Sequence, residues 1–321
     1  MRFTSTPQNG SSWQDSLLFG IDTEEEQPTN ILLEVASQNE SLVRRRLYGV
    51  TTAEVDIAPY LKHLSYIAPT IGTSAIIAPS PSAQAIRLIA NEVSSEQALL
   101  FHHPYDATTP HIISYEHELR TIADNEPIIL TAYAQKSIQV NAIFMTNISS
   151  RNFRLSAQTM GMPMNIIIPS TLYSSNVERI VVEITLDDTT LRTLEYNPLP
   201  QREKAWCVAW FNKRGGLETY TFPSSLRLSY DATINSEYAS AAEHYTPIAS
   251  ATVRHRLCSA YETQEQIERL SEIVFSPRIF LINGRSVTPI TLCNRHIEFD
   301  NHGSLRQMCI EIEQPWKGET L

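Results

Sequence analysis

Residues 205–222 read Ala205-Trp206-Cys207-Val208-Ala209-Trp210-Phe211-Asn212-Lys213-Arg214-Gly215-Gly216-Leu217-Glu218-Thr219-Tyr220-Thr221-Phe222. Two runs of apolar, aromatic and β-branched residues flank the polar pentapeptide Asn212–Gly216. Gly215 and Gly216 supply the positive φ angles that a tight turn needs, so the stretch predicts an antiparallel hairpin. Side chains alternate across a strand, which puts Trp206 and Trp210 on one face, with Tyr220 and Phe222 on the returning strand. Such a row packs in a sandwich core by default; an exposed row would stack sugar rings, and that option stays open.

The same grammar extends over the chain. Short β-branched and aromatic segments are broken by turn residues, the pattern of an all-β sandwich protein. In the first third the expected strands are 17–22, 31–37, 43–50, 54–57, 82–93 and 98–102. Residues 65–81 hold Pro69, Gly72, Pro79 and Pro81 and read as a loop or edge excursion. Residues 105–127 read as a connector in which Tyr115, Leu119 and Ile122 have the spacing of a short helix. A second strand set follows at 128–135, 137–145, 153–158, 164–168, 177–185 and 191–196. Its layout echoes the first, because Glu54–Leu61 and Met164–Leu172 each leave a strand through a proline, Pro59 or Pro169.

Beyond the hairpin, Thr263 with Gln266 three residues on forms a capping box ahead of the apolar stripe Ile267, Leu270 and Val274. Pro277 ends that helix. Asn283-Gly284 signals a type I′ hairpin, and Asn301-His302-Gly303 joins the last two strands. The expected division is an N-terminal β-sandwich at 1–122, a middle β-sandwich at 123–222, and a C-terminal β domain at 223–321 carrying the short helix 263–275.

Composition narrows the function. The 321 residues include 25 Lys and Arg against 35 Asp and Glu, a net charge of −10, which disfavours a non-specific grip on nucleic acid. The basic run Arg44-Arg45-Arg46 is offset by Glu40 and Glu54 and reads as a solvated strand face. No apolar stretch is long enough for a membrane-spanning helix. The N-terminus lacks a secretory core, so the chain is expected to stay in the cytoplasm or to leave by a route other than standard secretion. Cys207, Cys258, Cys293 and Cys309 form no CxxC pair and have no His at zinc-finger spacing, so they are expected to be reduced, packed thiols.

No GxSxG, GxGxxG or GxxxxGK[ST] motif is present. The nearest thing to a metal cluster is His102, His103, Asp106, His111, Glu116 and His117. Its first two histidines are adjacent and would point to opposite faces of a strand, so the group reads as surface histidines. Glu24-Glu25-Glu26 and Asp187-Asp188 lie beside turn residues and lack calcium-loop spacing. No catalytic, cofactor-binding or metal residue is therefore assigned, and no cofactor is expected.

The stretch Trp210–Phe222 resembles a W-x-N-x-x-G-G-x-[DE]-x-Y-x-F hairpin of uncharacterised phage and prophage virion proteins, tail-associated, from Bacteroidetes-type bacteria. Leu270–Pro277, with its L-x-x-[IL]-x-x-S-P exit, and the strand Val287–Leu292 are similar to the ends of such chains. Leu47-Tyr48-Gly49 leading into Val55-Asp56-Ile57 is similar to their N-terminal part. The resemblance implies tandem Ig/fibronectin-like β-sandwich domains and a non-enzymatic structural protein of the virion or bacterial cytoplasm that assembles with itself or with tail neighbours, and it transfers no catalytic residue. Two other readings stand beside it. A carbohydrate-binding or adhesin module would expose Trp206 or Trp210, and a β-sandwich hydrolase would bring two carboxylates together in a cleft.

Overall fold

A computed structural model describes residues 1–37, 40–61, 67–101, 109–114, 119–123, 126–159, 161–173, 176–199, 205–234, 238–239, 244–245, 248–293 and 297–315. The chain is all-β, in successive sandwich-like units, with one short capped helix near its C-terminal end. No helix among the described residues is long and apolar enough to cross a membrane.

The N-terminal part contains β1 (Arg2–Ser5), β2 (Leu18–Asp22), β3 (Thr29–Ser37), β4 (Glu40–Val50), β5 (Thr52–Asp56), one helical turn α1 (Ala58–Leu61), β6 (Ile76–Pro79), β7 (Ala83–Ala90), β8 (Val93–Ser94) and β9 (Ala98–Phe101). One sheet runs β1-β2-β5; the other runs β4-β3-β7-β8, with β9 also on β7. Alternation on β3 sends Ile31, Leu33 and Val35 inward to meet Phe19 and Ile21 of β2 and Ile86 and Leu88 of β7. On the same strand Leu32 stays exposed. The expected excursion at 65–81 does form an edge, but of a different sheet. Its strand β6 pairs with β15 of the middle unit, Ile76 opposite Ile167 and Met164 opposite Pro79.

The middle unit comprises β10 (His111–Ile112), β11 (Leu119–Ala123), β12 (Ile128–Tyr133), β13 (Ser137–Met145), β14 (Ser150–Gln158), β15 (Pro163–Ile168), β16 (Arg179–Leu186) and β17 (Thr190–Leu199). Its sheets run β10-β12-β15-β6 and β11-β17-β16-β13-β14. Residues 119–122, expected in a short helix, are instead a strand, β11, lying parallel to β17 with Leu119 opposite Glu195. The tertiary pairing overrides the helical spacing; Tyr115 lies outside the described residues. The echo between the first two units is visible, since β5 is followed by α1, which contains Pro59, and β15 is followed by Pro169 and a 3₁₀ turn at Ser170–Leu172.

β12 and β15 are buried at every residue, whereas β13 and β16 alternate. The cause is a third layer. Ile128, Leu130, Ile166 and Ile168 face the middle core, while Ile129 and Ile167 face the C-terminal sheet. A strand covered on both sides carries a continuous apolar run, as Ile128-Ile129-Leu130 and Ile166-Ile167-Ile168 do.

The C-terminal unit comprises β18 (Trp206–Phe211), β19 (Leu217–Phe222), β20 (Ser224–Ile234), β21 (Tyr238–Ala239), β22 (His244–Tyr245), β23 (Ile248–Cys258), α2 (Gln264–Leu270), β24 (Ile279–Asn283), β25 (Ser286–Leu292), β26 (Glu298–His302) and β27 (Leu305–Pro315). An eight-stranded sheet runs β19-β18-β24-β25-β27-β23-β20, with β26 also on β27. It packs around α2, whose Ile267 and Leu270 meet Val208, Trp210, Phe222, Leu257, Met308 and Ile310. The hairpin 206–222 was expected in the middle unit, but it is hydrogen-bonded into this sheet through β18 and β24, Cys207 opposite Ile282.

The capping box forms as expected, with Thr263 Oγ1 accepting from Gln266 N and the Gln266 side chain accepting from Thr263 N. The helix gives way to a 3₁₀ turn at Ser271–Phe275 before Pro277. The β24–β25 loop is displaced one residue from Asn283-Gly284. Asn283 pairs with Ser286, so the loop residues are Gly284 and Arg285, and of these only Gly284 has positive φ, at 58°. That sign pattern is II′, where the sequence suggested I′.

Two cysteines depart from the reduced-thiol expectation. Cys258 and Cys309 stand directly opposite each other on β23 and β27 and form a disulfide, with Cα atoms 4.1 Å apart. Closely spaced cross-strand positions bring Cβ atoms within bridging range, and no sequence spacing reveals a partner 51 residues away. Closing a loop of that length stabilises the fold by about 4 kcal/mol in the chain-entropy account. Cys207 and Cys293 are free thiols.

Candidate functional site

The hairpin that dominates the sequence is also where the middle and C-terminal units meet. Its two faces have different neighbours. Trp206, Val208, Trp210, Tyr220 and Phe222 face the core around α2. Cys207, Ala209, Phe211 and Leu217 face Ile129 and Ile167 of the middle unit, with Ile71, Phe280 and Ile282 completing the buried cluster.

The aromatic row is not a free platform. Trp210 is 4% exposed and Phe222 0%. Trp206 is half-buried, its ring centroid 4.4 Å from that of His255. Tyr220 packs edge-on against Phe222; its hydroxyl donates to Glu262 Oε1 at 2.8 Å and accepts from Ala260 N at 3.0 Å. Burial, then the nearby Glu262 carboxylate, pushes the Tyr220 hydroxyl far above its ordinary pKa, so it stays a donor.

The turn residues of the motif dock the hairpin. Asn212 is buried, and its Oδ1 accepts from Arg214 N and Gly216 N, both at 2.9 Å. Its Nδ2 donates to Glu218 Oε1 at 2.6 Å and across the seam to Ile113 O at 3.0 Å. Gly215 has φ +77°. Gly216 is needed for a different reason: a Cβ there would stand 2.8 Å from Ile113 Cγ2 and 3.2 Å from Ile113 C. The hairpin also holds the end of the helical segment, because Ser276 Oγ accepts from Phe211 N at 3.0 Å and donates to Arg278 O at 2.8 Å.

Beside the turn, a polar chain crosses between the units. Ser114 Oγ accepts from Thr131 N at 2.7 Å and donates to Leu217 O at 2.9 Å. Thr131 Oγ1 accepts from Leu217 N at 3.0 Å and donates to Asn165 Oδ1 at 2.8 Å. An ion pair lies further along. Arg120 of β11, 18% exposed, bonds the fully buried Glu126 at 2.5 Å and donates to Thr219 Oγ1 of β19 at 2.9 Å. Ala123 N donates to the second Glu126 oxygen at 3.2 Å, and the Tyr173 hydroxyl donates to Glu126 O.

Burial raises the Glu126 carboxyl above its ordinary value, against the pull of Arg120. Burial works against the Arg120 charge, but Glu126 outweighs it and raises the guanidinium. The Cys207 thiol lies against Glu126 and is pushed well up, by burial first and that charge second. A thiol so held is a protonated packing group, not a nucleophile. The chemistry of this arrangement is that of a clamp, in which Asn212, Ser114, Thr131 and Arg120 each make a hydrogen bond across to the other unit.

Of the histidine cluster, only His111 lies among the described residues. Its ring is 5.7 Å from that of Tyr133, and Nδ1 lies 2.9 Å from Thr109 O. His102, His103, Asp106, Glu116 and His117 lie outside them. Among the described residues no group of three or more His, Cys, Asp or Glu is placed to hold a metal. Glu24 pairs with the N-terminal amine at 2.7 Å. Asp187 is a turn clamp, accepting from the backbone N–H of Gln135, Lys136 and Ser137 at 2.8, 2.7 and 3.1 Å. Asp188 accepts from Gln139 Nε2 at 2.6 Å. On β4, Arg44 pairs with Glu34 at 3.1 Å and Arg45 donates to the Tyr60 hydroxyl at 3.0 Å.

The clamp residues Arg120, Glu126, Ser114 and Thr131 were not singled out by the sequence. Only Thr131 left a trace there, as a polar residue inside the apolar run 128–133.

No protein-family model matches the chain, and no curated protein matches it. Among solved structures it is similar to the selenomethionine-substituted chicken interferon gamma receptor alpha chain, at 11% identity and a TM-score of 0.17, over 62% of this chain and 98% of that one. It is also similar to CBD12 from CALX1.2, at 9% identity and a TM-score of 0.16, over 55% of this chain and 76% of that one.

Proposed function

We propose that the chain is a non-enzymatic assembly protein, a tail-associated component of a phage or prophage virion, which joins copies of itself or neighbouring structural proteins. The observation that carries the assembly reading is a pair of long strands with one free side. β4, 11 residues long, pairs only with β3, and β14, 9 residues long, pairs only with β13 among the described residues. Such edges present unpaired backbone N–H and C=O groups to a partner strand. The interlocked body behind them supports the same reading, since β6 crosses into the middle sheet and the hairpin clamp joins that sheet to the C-terminal one. The virion assignment rests on the resemblance alone, carried by Trp210–Phe222, Leu270–Pro277, Val287–Leu292 and the N-terminal stretch Leu47–Ile57. The glycan reading calls for an exposed Trp206 or Trp210; Trp210 is buried in the core, and Trp206 is half-buried against His255.

Light scattering coupled to size exclusion tests the assembly reading. The expected result is a mass that rises above one chain with protein concentration. A strictly monomeric protein at high concentration, together with binding on a glycan array, overturns it.

A further inference from the structure

Three cysteines share one face of the C-terminal sheet. Cys258 and Cys309 are directly opposed on β23 and β27. Cys293 follows β25, and its N–H donates to Glu311 O at 2.9 Å, so it stands opposite Glu311 on the far side of β27 from Cys258. Glu311 and Cys309 are two residues apart on one strand, which puts their side chains on the same face. Cys293 is thus the diagonal neighbour of Cys309, a relation that sets backbones about 7–8 Å apart. The three sulfurs differ in access. Cys258 and Cys309 are 1% and 5% exposed, whereas Cys293 is only half-buried. Cys293 is also the first residue past the end of β25, and moving it toward Cys309 breaks its ladder hydrogen bond to Glu311 and its Sγ contact with Glu313.

We propose that Cys293 is a relay thiol through which the buried Cys258–Cys309 disulfide is made and broken in the folded chain. In the reductive direction the Cys293 thiolate attacks Cys309 Sγ. The Cys309–Cys258 bond breaks, and Cys258 leaves as a thiolate and takes up a proton. An external dithiol then cleaves the accessible Cys293–Cys309 bond and is itself oxidised to a disulfide, leaving three thiols on the protein. In the oxidative direction a small-molecule disulfide is the oxidant. Cys293 attacks it and releases one thiolate, and Cys309 attacks Cys293 Sγ and releases the second. Cys258 then attacks Cys309 Sγ and returns Cys293 to the thiol form. The groups facing Cys293 are Glu311, Glu313 and Arg254; its Sγ lies 4.0 Å from Glu313 Oε2, and burial is the first cause that raises its thiol.

Reduction of the full chain by dithiothreitol, followed by maleimide mass-tagging, tests the relay. Under native conditions Cys293→Ser slows loss of the Cys258–Cys309 disulfide by about tenfold or more, and in denaturant the two proteins reduce at the same rate. Cys258→Ser treated with glutathione disulfide yields a Cys293–Cys309 cross-link on peptide mapping. Equal native rates for wild type and Cys293→Ser overturn the proposal. So does a Cys258→Ser protein that gives only mixed glutathione adducts.

Discussion

Gly216 stands where the hairpin turn comes closest to the middle unit. Gly216→Ala drives a methyl into Ile113 and is expected to cost about 1–3 kcal/mol in urea unfolding. Adding Ile113→Ala removes the opposing Cγ2, so the double variant loses less than the sum of its parts; strict additivity would refute the contact. The motif W-x-N-x-x-G-G was legible as a turn, and that much was correct. The roles of Asn212 and Gly216 were not, because each depends on Ile113, about a hundred residues earlier in the chain. Glu126 shows the same limit more sharply. One more acidic side chain among 35 carries no local mark that it will be buried against Arg120.

At the scale of elements, local pattern placed several strands and one helix cap. β13 and β19 occupy the expected residues 137–145 and 217–222, and the capping box of α2 is as written in the sequence. Local pattern served poorly for β11, whose helix-like spacing yields to parallel pairing with β17. The turn after β16 offers a pH test. Partial burial works to raise the Asp187 carboxyl, but three backbone N–H donors outweigh it and hold the pKa below the ordinary value. A depressed folded-state pKa contributes stability that is present above the unfolded value and lost as pH falls through the folded one. Asp187→Asn keeps a residue tolerant of the positive φ of 52° and removes that titration. Thermal unfolding between about pH 5 and about pH 2 should therefore show a steeper loss in wild type than in the variant. Parallel profiles would rule out this contribution.

For the whole molecule, the three layers formed by the middle sandwich and the C-terminal sheet are held by a mixed seam. Its apolar part is the contact of Ile71, Ile129 and Ile167 with Cys207, Ala209, Phe211 and Phe280. Its polar part includes the Arg120–Glu126 pair. Glu126→Ala leaves the guanidinium without its partner and is expected to cost about 3 kcal/mol, the low end for a broken buried pair because Arg120 keeps some contact with water. Hydrogen exchange locates the effect. The amides of Ile113 and Leu217, which bond Thr131 O and Thr131 Oγ1, should exchange faster, while those of β2 are unchanged. Uniform acceleration across both places would mean global destabilisation and no seam.

The sequence by itself determined what short-range physics determines. Alternating runs became strands, Gly215 and Gly303 took positive φ in turns, Thr263 and Gln266 capped a helix, and Pro277 followed its end. The tertiary structure decided which sheet each strand joined. It sent β6 forward into the middle unit and the hairpin 206–222 into the C-terminal one, covered β12 and β15 on both faces, and joined Cys258 to Cys309. The reason is that pattern and turn chemistry act over a few residues. Sheet membership is settled by burial and register between segments many tens of residues apart, and no local spacing records those relations.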